Sequence, residues 1–194
     1  KLHSFAAFGT AQLQLQTPTG PLICDLSSAR REHYAFPGAH PNVEPASLDD
    51  DLCRRDFSIN AIAQRLPQPQ HPLLDPFDGC QALERRQLEL LHPLSLSDDP
   101  TRLLRGVRYG ARLGLKLAPR TLDQVHHTLA HWPWPKEAPA LAARLRMELE
   151  LMMSEQHWRQ AIRLLQRWGG LQLLQRHWHT LPAGSEAWLQ RLGT

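Results

Sequence analysis

The chain has 194 residues and a mass of 22.1 kDa, which is enough for one ordinary domain or two small ones. Its formal net charge of +3 and isoelectric point near 9.0 indicate a mild basic bias, too small to predict nonspecific nucleic-acid binding. The sequence lacks an apolar run of the roughly 18 residues that a membrane helix needs. Cys24, Cys53 and Cys80 are too widely spaced for a zinc knuckle or a disulfide framework. We therefore expect a soluble protein of the reducing cytoplasm.

The basic residues are unusual in kind. Only three of the 22 are lysines. Arginine grips phosphate bidentately and stacks on bases, so this bias fits a nucleotide or nucleic-acid ligand. A GC-rich genome would produce the same bias, and composition alone does not separate the two explanations.

Two strands and a turn are predicted near the start of the chain. Apolar residues alternate in part with small or polar ones over residues 5–15, and residues 22–26 form a short apolar run. Residues 17–21 contain the Pro and Gly of a turn, so we expect a hairpin. Asp25 then lies within the second strand. A carboxylate there either faces solvent on a half-exposed strand or has a partner.

A proline-containing connection follows the hairpin. Residues 30–45 carry three prolines and are predicted to form an ordered but mobile loop, of the kind that often gates substrates. Ser47, with Asp50 three positions later, resembles a capping box and predicts the start of a short helix. Residues 58–66 are compatible with either helix or strand, because their periodicity favours neither.

The second half of the chain is patterned for helices. A tight turn is predicted at the Asp-Pro-Phe-Asp-Gly run of residues 75–79, followed by a short helix or strand over residues 81–91. Beyond that, five helices are predicted, with breaks at glycine and proline positions: residues 98–113, 119–132, 139–154, 156–168 and 171–178.

The first of these five helices has two distinct faces. Four arginines share one face within an arc of about 120°, and we call them the arginine stripe: Arg102, Arg105, Arg108 and Arg112. The helix has no acid at i±4 to neutralise the stripe, so the arginines must be either solvated by water or bound to an anionic ligand. At its start, Asp98 or Asp99 can cap the free N–H groups, and Pro100 suits the first turn. Asp99 and Arg102, three residues apart, can present an acceptor and a donor fork to the edge of a base.

Common catalytic and cofactor motifs are missing from the sequence. It has no G-x-S-x-G, no H-E-x-x-H, no Walker P-loop and no G-x-G-x-x-G. The histidine clusters around His127 and His177 have no acidic or cysteine partners placed to complete a metal site. We therefore interpret these histidines as surface or core residues.

Several other segments, taken in order, resemble a known family. They are Gly9-Thr10; Asp25 with Arg30-Arg31-Glu32 downstream; the run from Arg54 to Ala61; the run from Asp75 to Gly79; and the run from Asp98 to Arg105. This ordered set resembles the class II tRNA nucleotidyltransferases, or CCA-adding enzymes, and the bacterial poly(A) polymerases that share their head and neck. The resemblance covers about residues 5–175.

The resemblance implies an α+β fold and an enzymatic function. Residues 1–92 would form the C-terminal part of a polymerase-beta-like nucleotidyltransferase head, residues 93–170 a helical neck with the template helix, and residues 171–194 the start of a helical body. The implied reaction is template-independent transfer of CMP and AMP from CTP and ATP to the 3′ end of tRNA. Alternatives are a poly(A) polymerase, an enzyme that adds only CC or only A, and a non-catalytic remnant that binds RNA or nucleotide.

The resemblance also implies a two-metal site that uses Mg²⁺. Asp25 matches the third of the family's metal-binding carboxylates. The first two aspartates and the Gly-rich turn that holds the triphosphate have no counterpart in this sequence, which begins at Lys1. Two-metal chemistry would lack most of its ligands without them. We therefore expect the chain by itself to be inactive unless the missing part is supplied elsewhere.

Four residues of the Arg54–Ala61 run match a triphosphate-binding and ribose-binding segment. Arg54 and Arg55 are expected to contact the triphosphate, and Asp56 to orient an arginine. Asn60 is expected to hydrogen-bond a ribose hydroxyl.

The start of the central helix matches the family's base-reading segment. Asp99 and Arg102, here called the template pair, match an amino-acid template for the incoming base, and Arg105 and Arg108 would continue toward the phosphates. Asp98 stands where the family usually has Glu. Residues 75–79 match a head–neck turn that is either a hinge or a purely structural turn. Residues 144–149 resemble a motif that braces the template helix, mainly by packing.

Overall fold

A computed structural model describes residues 2–5, 9–66, 70–134 and 138–175. Its strands are β1 Leu2–Phe5, β2 Thr10–Thr17, β3 Gly20–Ser27, β4 Arg30–His33, β5 Asn42–Pro45, β6 Gln87–Leu88 and β7 Lys116–Leu117. Its α-helices are α1 Leu48–Cys53, α2 Gly79–Glu84, α3 Ser95–Asp98, α4 Thr101–Leu113, α5 Pro119–Ala130, α6 Leu141–Ser154, α7 Trp158–Arg167 and α8 Gln172–Gln175, and a 3₁₀ helix covers Ser58–Asn60. The predicted α+β fold is confirmed. Across these ranges, every helix is too short or too polar to span a bilayer.

The first three strands form an antiparallel sheet in the order β1-β2-β3. The predicted hairpin is confirmed as β2 and β3, which meet at the pair Thr17 and Gly20. The Thr17 hydroxyl donates to the Gly20 carbonyl oxygen at 2.6 Å, and Gly20 has φ 121°, a backbone conformation that favours glycine. Strand β1 was not predicted. Phe8, which belonged to the apolar alternation, lies outside the described residues.

The predicted loop over residues 30–45 contains a second hairpin, so that prediction is wrong in part. Strands β4 and β5 pair antiparallel, with Arg30 opposite Pro45 and His33 opposite Asn42. The side chains of this hairpin are mostly polar rather than alternately apolar: Glu44 lies 3.6 Å from the Arg31 guanidinium and 3.0 Å from the His33 ring. A search for alternating hydrophobic residues therefore does not find it.

Helix α1 begins as predicted. The Ser47 hydroxyl accepts the Asp50 amide at 3.1 Å and the Asp50 carboxylate accepts the Ser47 amide at 3.2 Å, which completes a capping box. The side-chain hydrogen bonds of Arg31 and Ser47 lower the pKa of Asp50 to about 2. The helix ends at Cys53, and the ambiguous segment after residue 58 forms a 3₁₀ turn followed by extended chain.

The predicted tight turn over residues 75–79 caps helix α2. The Asp75 carboxylate accepts the amides of Gly79 at 2.6 Å and Cys80 at 2.8 Å. Burial by itself would raise the pKa of Asp75, but these two donors outweigh it and lower the pKa. Whether the turn acts as a hinge stays a prediction, as do the domain boundaries after residues 92 and 170. Most of the expected body segment, residues 171–194, lies outside the described residues.

Helix α4 lies in the core, against α6 and α7. It ends at Leu113, as predicted, and Gly114 with φ 68° forms a left-handed C-terminal cap. Leu104 and Val107 are fully buried on its apolar face, and burial of such a side chain contributes about 1.5–3 kcal/mol. Gly106 lets the Phe57 ring approach the helix, because a Cβ there would lie 2.7 Å from Phe57 Cζ. This contact joins the helix to the segment that follows α1.

Candidate nucleotide-binding site

A cavity of about 520 Å³ opens between β4, the segment after α1, the start of α4 and one face of α6. Its described lining consists of Arg30, Glu32, Tyr34, Arg54, Arg55, Asp56, Asn60, Asp99, Thr101, Arg102, Arg105, Arg144, Met147 and Glu148. This lining contains six arginines and four carboxylates. The excess of positive charge suits a polyanionic ligand such as a triphosphate.

Arg54 and Arg55 are held in place by a buried carboxylate. Asp51, which is 4% exposed, accepts Arg54 Nη2 at 2.7 Å and Arg55 Nη2 at 3.1 Å. Burial by itself would raise the pKa of Asp51, but the two guanidinium groups outweigh it and lower the pKa. Arg55 also donates to the main-chain oxygen of Asn60 at 3.0 Å. The sequence analysis missed Asp51, although its i,i+3 and i,i+4 spacing to the two arginines on a predicted helix was a usable signal.

Glu32 is a second carboxylate that the sequence analysis did not place in the site. Its side chain is 7% exposed and accepts Arg30 Nη2 at 3.0 Å, Arg54 Nη1 at 2.9 Å and the Tyr34 hydroxyl at 2.9 Å. Burial, followed by the charge of Glu32, raises the pKa of Tyr34 above its usual value. Tyr34 therefore keeps its proton and acts as a donor. Glu32 thus ties strand β4 to Arg54, the first of the two predicted triphosphate ligands.

The template pair lies in the cavity, with both members engaged by the protein itself. The Asp99 carboxylate accepts the amide of Thr101 at 3.1 Å and its hydroxyl at 2.7 Å, and it contacts Arg144 Nη1 at 3.2 Å. Pro100 is the N-cap residue of α4, and the Asp99 carboxylate accepts the first amide of the helix, that of Thr101. Asp98 belongs to α3, so of the two aspartates that the sequence offered it is Asp99 that satisfies a free N–H group of α4.

Arg102 is more deeply enclosed than Asp99. It is 5% exposed and donates to the carbonyl oxygens of Arg54 at 2.6 Å and Ser95 at 3.3 Å. His92 Nε2 lies 3.5 Å from Arg102 Nη1. Burial, and then the charge of Arg102, lower the pKa of His92. The imidazole is thus neutral near pH 7 and can accept from the guanidinium.

The arginine stripe is not free of carboxylate partners, which corrects the interpretation from the helix sequence. Arg105 Nε donates to Asp56 Oδ2 at 2.7 Å, and Arg108 Nη1 donates to Glu148 Oε2 at 2.7 Å. Glu155 accepts Arg108 Nη2 at 2.7 Å. Burial by itself would lower the pKa of Arg105, but Asp56 outweighs it and raises the pKa. The neutralising acids come from other elements, which an i±4 search along α4 does not reach.

The stripe therefore divides into two parts. Arg102 and Arg105 line the cavity, whereas Arg108 is not among the described lining residues and is 15% exposed between two carboxylates. Its position does not support the predicted direct contact between Arg108 and phosphate. The expected role of Asp56 in orienting an arginine agrees with its contact to Arg105. Direct nucleotide contacts of the other predicted residues stay predictions.

The motif at residues 144–149 does more than pack. Leu145 is buried in the core beside α4, as expected of a brace. Glu148, which is 4% exposed, joins Arg105 and Arg108. Arg144 contacts Asp99 and also donates to the Gly38 carbonyl oxygen at 2.6 Å. Charges on α6 therefore help to position the template pair.

Asp25 lies apart from the cavity. It is exposed on β3, and its carboxylate accepts Gln12 Nε2 across the sheet at 3.0 Å. A search of the described residues finds no cluster of three or more His, Cys, Asp or Glu that fits a metal ion. These residues by themselves do not form a two-metal site. The role of Asp25 as the third carboxylate stays a prediction.

Comparisons with known proteins find similar sequences. Residues 1–89 match the poly A polymerase head domain family. The A-adding tRNA nucleotidyltransferase of Aquifex aeolicus is 38% identical over 168 residues, which cover 86% of this chain and 20% of that protein. The CC-adding tRNA nucleotidyltransferase of Deinococcus radiodurans is 45% identical over 169 residues, which cover 87% of this chain and 42% of that protein.

Solved structures with similar folds lead to the same group. A CCA-adding enzyme in an apo form aligns with a TM-score of 0.74 and 32% identity, over 87% of this chain and 39% of that one. A tRNA nucleotidyltransferase in complex with a primer tRNA and an incoming ATP analog aligns with a TM-score of 0.67 and 34% identity, over 88% of this chain and 46% of that one.

The fold and the cavity define a nucleotidyltransferase head domain joined to a helical segment. The chain belongs to the class II tRNA nucleotidyltransferase family, the family of the CCA-adding enzymes. It spans between a fifth and less than half of the length of the four relatives and structures described above.

Proposed function

We propose that this protein transfers CMP or AMP from CTP or ATP to the 3′ end of tRNA and releases pyrophosphate. The observation that carries the proposal is that one cationic cavity is lined by Arg54, Arg55 and the template pair. The two arginines suit a triphosphate, and the template pair suits a base. A mononucleotide triphosphate is the ligand that needs both.

Arg54 and Arg55 are the proposed triphosphate ligands. Asp51 holds both guanidinium groups, so little side-chain freedom is lost when a phosphate binds. Arg54 is 21% exposed and Arg55 is 40% exposed, which leaves N–H donors available to an anion. Charge-assisted bonds to phosphate are about twice as strong as neutral ones.

Asp99 and Arg102 are the proposed selectors of the base. Cytosine and adenine both carry an exocyclic amine, from which the Asp99 carboxylate can accept a hydrogen bond. Arg102 can donate hydrogen bonds to acceptors on cytosine. Uracil and guanine present the wrong groups, and an unpaired buried group costs about 1–3 kcal/mol. Arg102 must exchange the carbonyl oxygens of Arg54 and Ser95 for the base, because its guanidinium donates to both.

Mg²⁺ is the proposed cofactor. Phosphoryl-transfer enzymes generally use divalent ions to activate the attacking hydroxyl and to stabilise the leaving group. Asp25 is the proposed ligand within this chain. The described residues do not supply a complete site, so the binding and selection steps above are assigned to the side chains of the cavity alone.

The number and kind of added nucleotides differ among relatives. The relatives in Aquifex aeolicus and Deinococcus radiodurans are an A-adding and a CC-adding enzyme, and the Xylella fastidiosa protein, 36% identical over 121 residues, is a multifunctional CCA protein. Addition of CCA is our proposal for this chain. Addition of CC alone, of A alone, or of a poly(A) tail are the alternatives, and a non-catalytic binding protein is the alternative of another class.

The cysteines support a cytoplasmic location. Cys24, Cys53 and Cys80 are free thiols, and Cys53 is exposed. Such thiols persist in reducing compartments. We include a cytoplasmic location in the proposal, and fluorescence microscopy of a tagged protein tests it.

Titration calorimetry with CTP, ATP, UTP and GTP tests the binding part of the proposal. We expect CTP and ATP to bind at least about fivefold more tightly than UTP and GTP, which is the ratio that one unpaired group of about 1 kcal/mol produces. Equal affinity for all four nucleotides would contradict the assignment of the template pair.

Transfer assays with the complete gene product test the activity. The substrates are tRNA transcripts that end before the CCA sequence, after CC, or after CCA, and sequencing gels resolve the products. Extension of the first transcript by CCA supports the proposal. Extension by CC only, by A only or by a long A tail would assign one of the alternatives, and failure to extend any transcript would favour the binding protein.

A further inference from the structure

Helix α7 carries a row of arginines on its solvent face. Arg159, Arg163 and Arg167 are exposed and repeat every four residues. At about 100° per residue they fall within an arc of roughly 80°. Ala161 and Leu165 are buried on the opposite side, where α7 packs against α4. We call these three residues the α7 arginine face.

The α7 arginine face differs from the other arginine row of this protein. Arginines of α4 form ion pairs with Asp56, Glu148 and Glu155. The three arginines of α7 make no ion pair with a carboxylate anywhere in residues 2–5, 9–66, 70–134 and 138–175, and α7 contains no Asp or Glu. An unpaired row with no acid among it is a surface of concentrated positive charge.

One member of the row is oriented by an aromatic ring. Arg159 Cζ lies 4.5 Å from the centroid of the Trp158 ring. Stacking of this kind keeps a guanidinium flat and leaves its edge free for hydrogen bonds to an anion. The other two members follow at intervals of about 6 Å along the helix axis. Regular spacing over three residues matches a ligand with repeated negative charges better than a single anion.

The α7 arginine face belongs to a helix that packs on both helices of the nucleotide cavity. Helix α7 contacts α4 and α6, and these two helices supply lining residues to the cavity, among them Arg105 and Glu148. Glu155 caps the end of α6, three residues before α7 begins. A polymer whose 3′ end occupies the cavity therefore has α7 in the layer of helices next to that end.

We propose that the α7 arginine face binds the backbone phosphates of the double-helical stem of the RNA whose 3′ end is extended. This inference rests on the proposed function, because the RNA end at the cavity defines the partner. Phosphate contacts by arginine position a nucleic acid without reading its sequence. The face therefore contributes affinity and orientation, and nucleotide selection remains with the cavity.

The test removes the three charges together. The variant combines Arg159→Gln, Arg163→Gln and Arg167→Gln, and its affinity for a fluorescent RNA hairpin with a tRNA acceptor stem is measured by anisotropy at several salt concentrations. Each lost phosphate contact lowers the slope of log affinity against log salt by about 0.9. We expect the slope to fall by about 2–3 and the affinity at low salt to fall at least tenfold, with unchanged CTP affinity.

A matched control loses the same charge elsewhere. It combines Arg85→Gln, Lys116→Gln and Arg120→Gln, three exposed cations that lie on different elements. We expect it to keep most of the wild-type slope. Each of the three single α7 variants should lower the slope by about 0.9, which keeps the inference testable if the triple variant folds poorly.

Two results would overturn the inference. RNA binding by the wild-type protein, with equal affinity and slope in the α7 and control variants, would overturn the α7 assignment alone. CTP binding by a wild-type protein that fails to bind the hairpin would overturn both the α7 assignment and the proposed RNA substrate.

Discussion

The guanidinium of Arg102 donates to the main-chain oxygen of Arg54 at 2.6 Å, across 48 residues of sequence. This bond joins the first turn of α4 to the segment that holds the predicted triphosphate ligands. It also gives Arg102 a hydrogen-bond acceptor within the protein itself. A base that recruits Arg102 must therefore replace an existing acceptor, so the geometry of the Arg54 segment and the selection of the base are linked.

Replacement of Arg102 by Ala should weaken discrimination among nucleotides. Without its donor fork, the site no longer penalises a base with mismatched groups. We expect the ratio of CTP to UTP affinity to fall by roughly five- to 150-fold, the equivalent of about 1–3 kcal/mol. Calorimetric titration with the four nucleotides measures this ratio.

The matched control for this variant is Arg112→Ala on the same helix. Arg112 is 49% exposed and lies 4.0 Å from its nearest carboxylate oxygen, on Glu155. Its removal should leave the ratio unchanged. Selectivity that survives in the Arg102 variant would show that Arg102 is not part of the template.

Replacement of Glu148 by Gln should destabilise the fold. Glu148 is 4% exposed and joins Arg105 and Arg108, so the neutral amide leaves both guanidinium groups short of an acceptor. Breaking a buried pair costs about 3–5 kcal/mol, and partial solvation of Arg105 reduces this to about 2–3 kcal/mol. Urea denaturation should show a lower midpoint with an unchanged slope.

Glu150→Gln is the control for the Glu148 variant. Glu150 pairs with Arg146, and both side chains are more than 60% exposed. An exposed pair of this kind contributes at most about 1 kcal/mol. Equal effects of the two substitutions would contradict a structural role for the Glu148 contacts.

Replacement of Gly106 by Ala should also destabilise the protein, although Ala favours helix. The new Cβ would lie 2.7 Å from Phe57 Cζ, and Phe57 is 1% exposed. Overpacking costs about 1–3 kcal/mol and exceeds the helix gain of at most about 1 kcal/mol. The double variant with Phe57→Leu should recover part of the loss. A Gly106→Ala variant that is more stable than wild type would show that the Phe57 ring does not pack against this position.

His92 should make stability depend on pH in the acid range. Burial and the charge of Arg102 lower the pKa of His92 in the folded state below its value of 6.5 in the unfolded chain. The unfolded state therefore binds more protons as pH falls through 6.5, and stability declines until the folded pKa is passed. His92→Gln should flatten this decline, as measured by urea denaturation from pH 8 to pH 5. An unchanged slope in the variant would assign the acid sensitivity to other groups.

Replacement of Asp25 by Asn should separate binding from transfer. Asp25 lies outside the described lining of the cavity and bonds Gln12. We expect CTP affinity to change less than about twofold, because the cavity residues that are proposed to bind the triphosphate and the base are unchanged. Single-turnover incorporation by the complete gene product should fall at least tenfold if Asp25 holds a metal ion. Normal incorporation by the variant would show that Asp25 is not required for nucleotide transfer.

The apolar face of α4, its end near Gly114 and the capping box at Ser47 were readable from the amino-acid sequence, whereas the predicted start of this helix at residue 98 was three residues early because Asp98 belongs to α3. Each depends on neighbours within about four residues: the apolar face of α4 on helical spacing, its end on the left-handed conformation of Gly114, and the start of α1 on the Ser47–Asp50 exchange. Local backbone geometry fixes these distances before the chain folds. The sequence therefore determined these local features and several candidate site residues, but it did not predict strand β1, the β4–β5 hairpin or the contacts of Glu32 and Asp51.

Only the tertiary structure decided which charges remain free to bind a ligand. Arg105 and Arg108 find their carboxylates 40 to 49 residues away, and Glu32 finds Arg54 across 22 residues. Charge pairing depends on distance in space and on burial, and neither is encoded by spacing along one helix. For this reason the arginine row of α4 proved to be largely neutralised, whereas the row on α7 remained exposed.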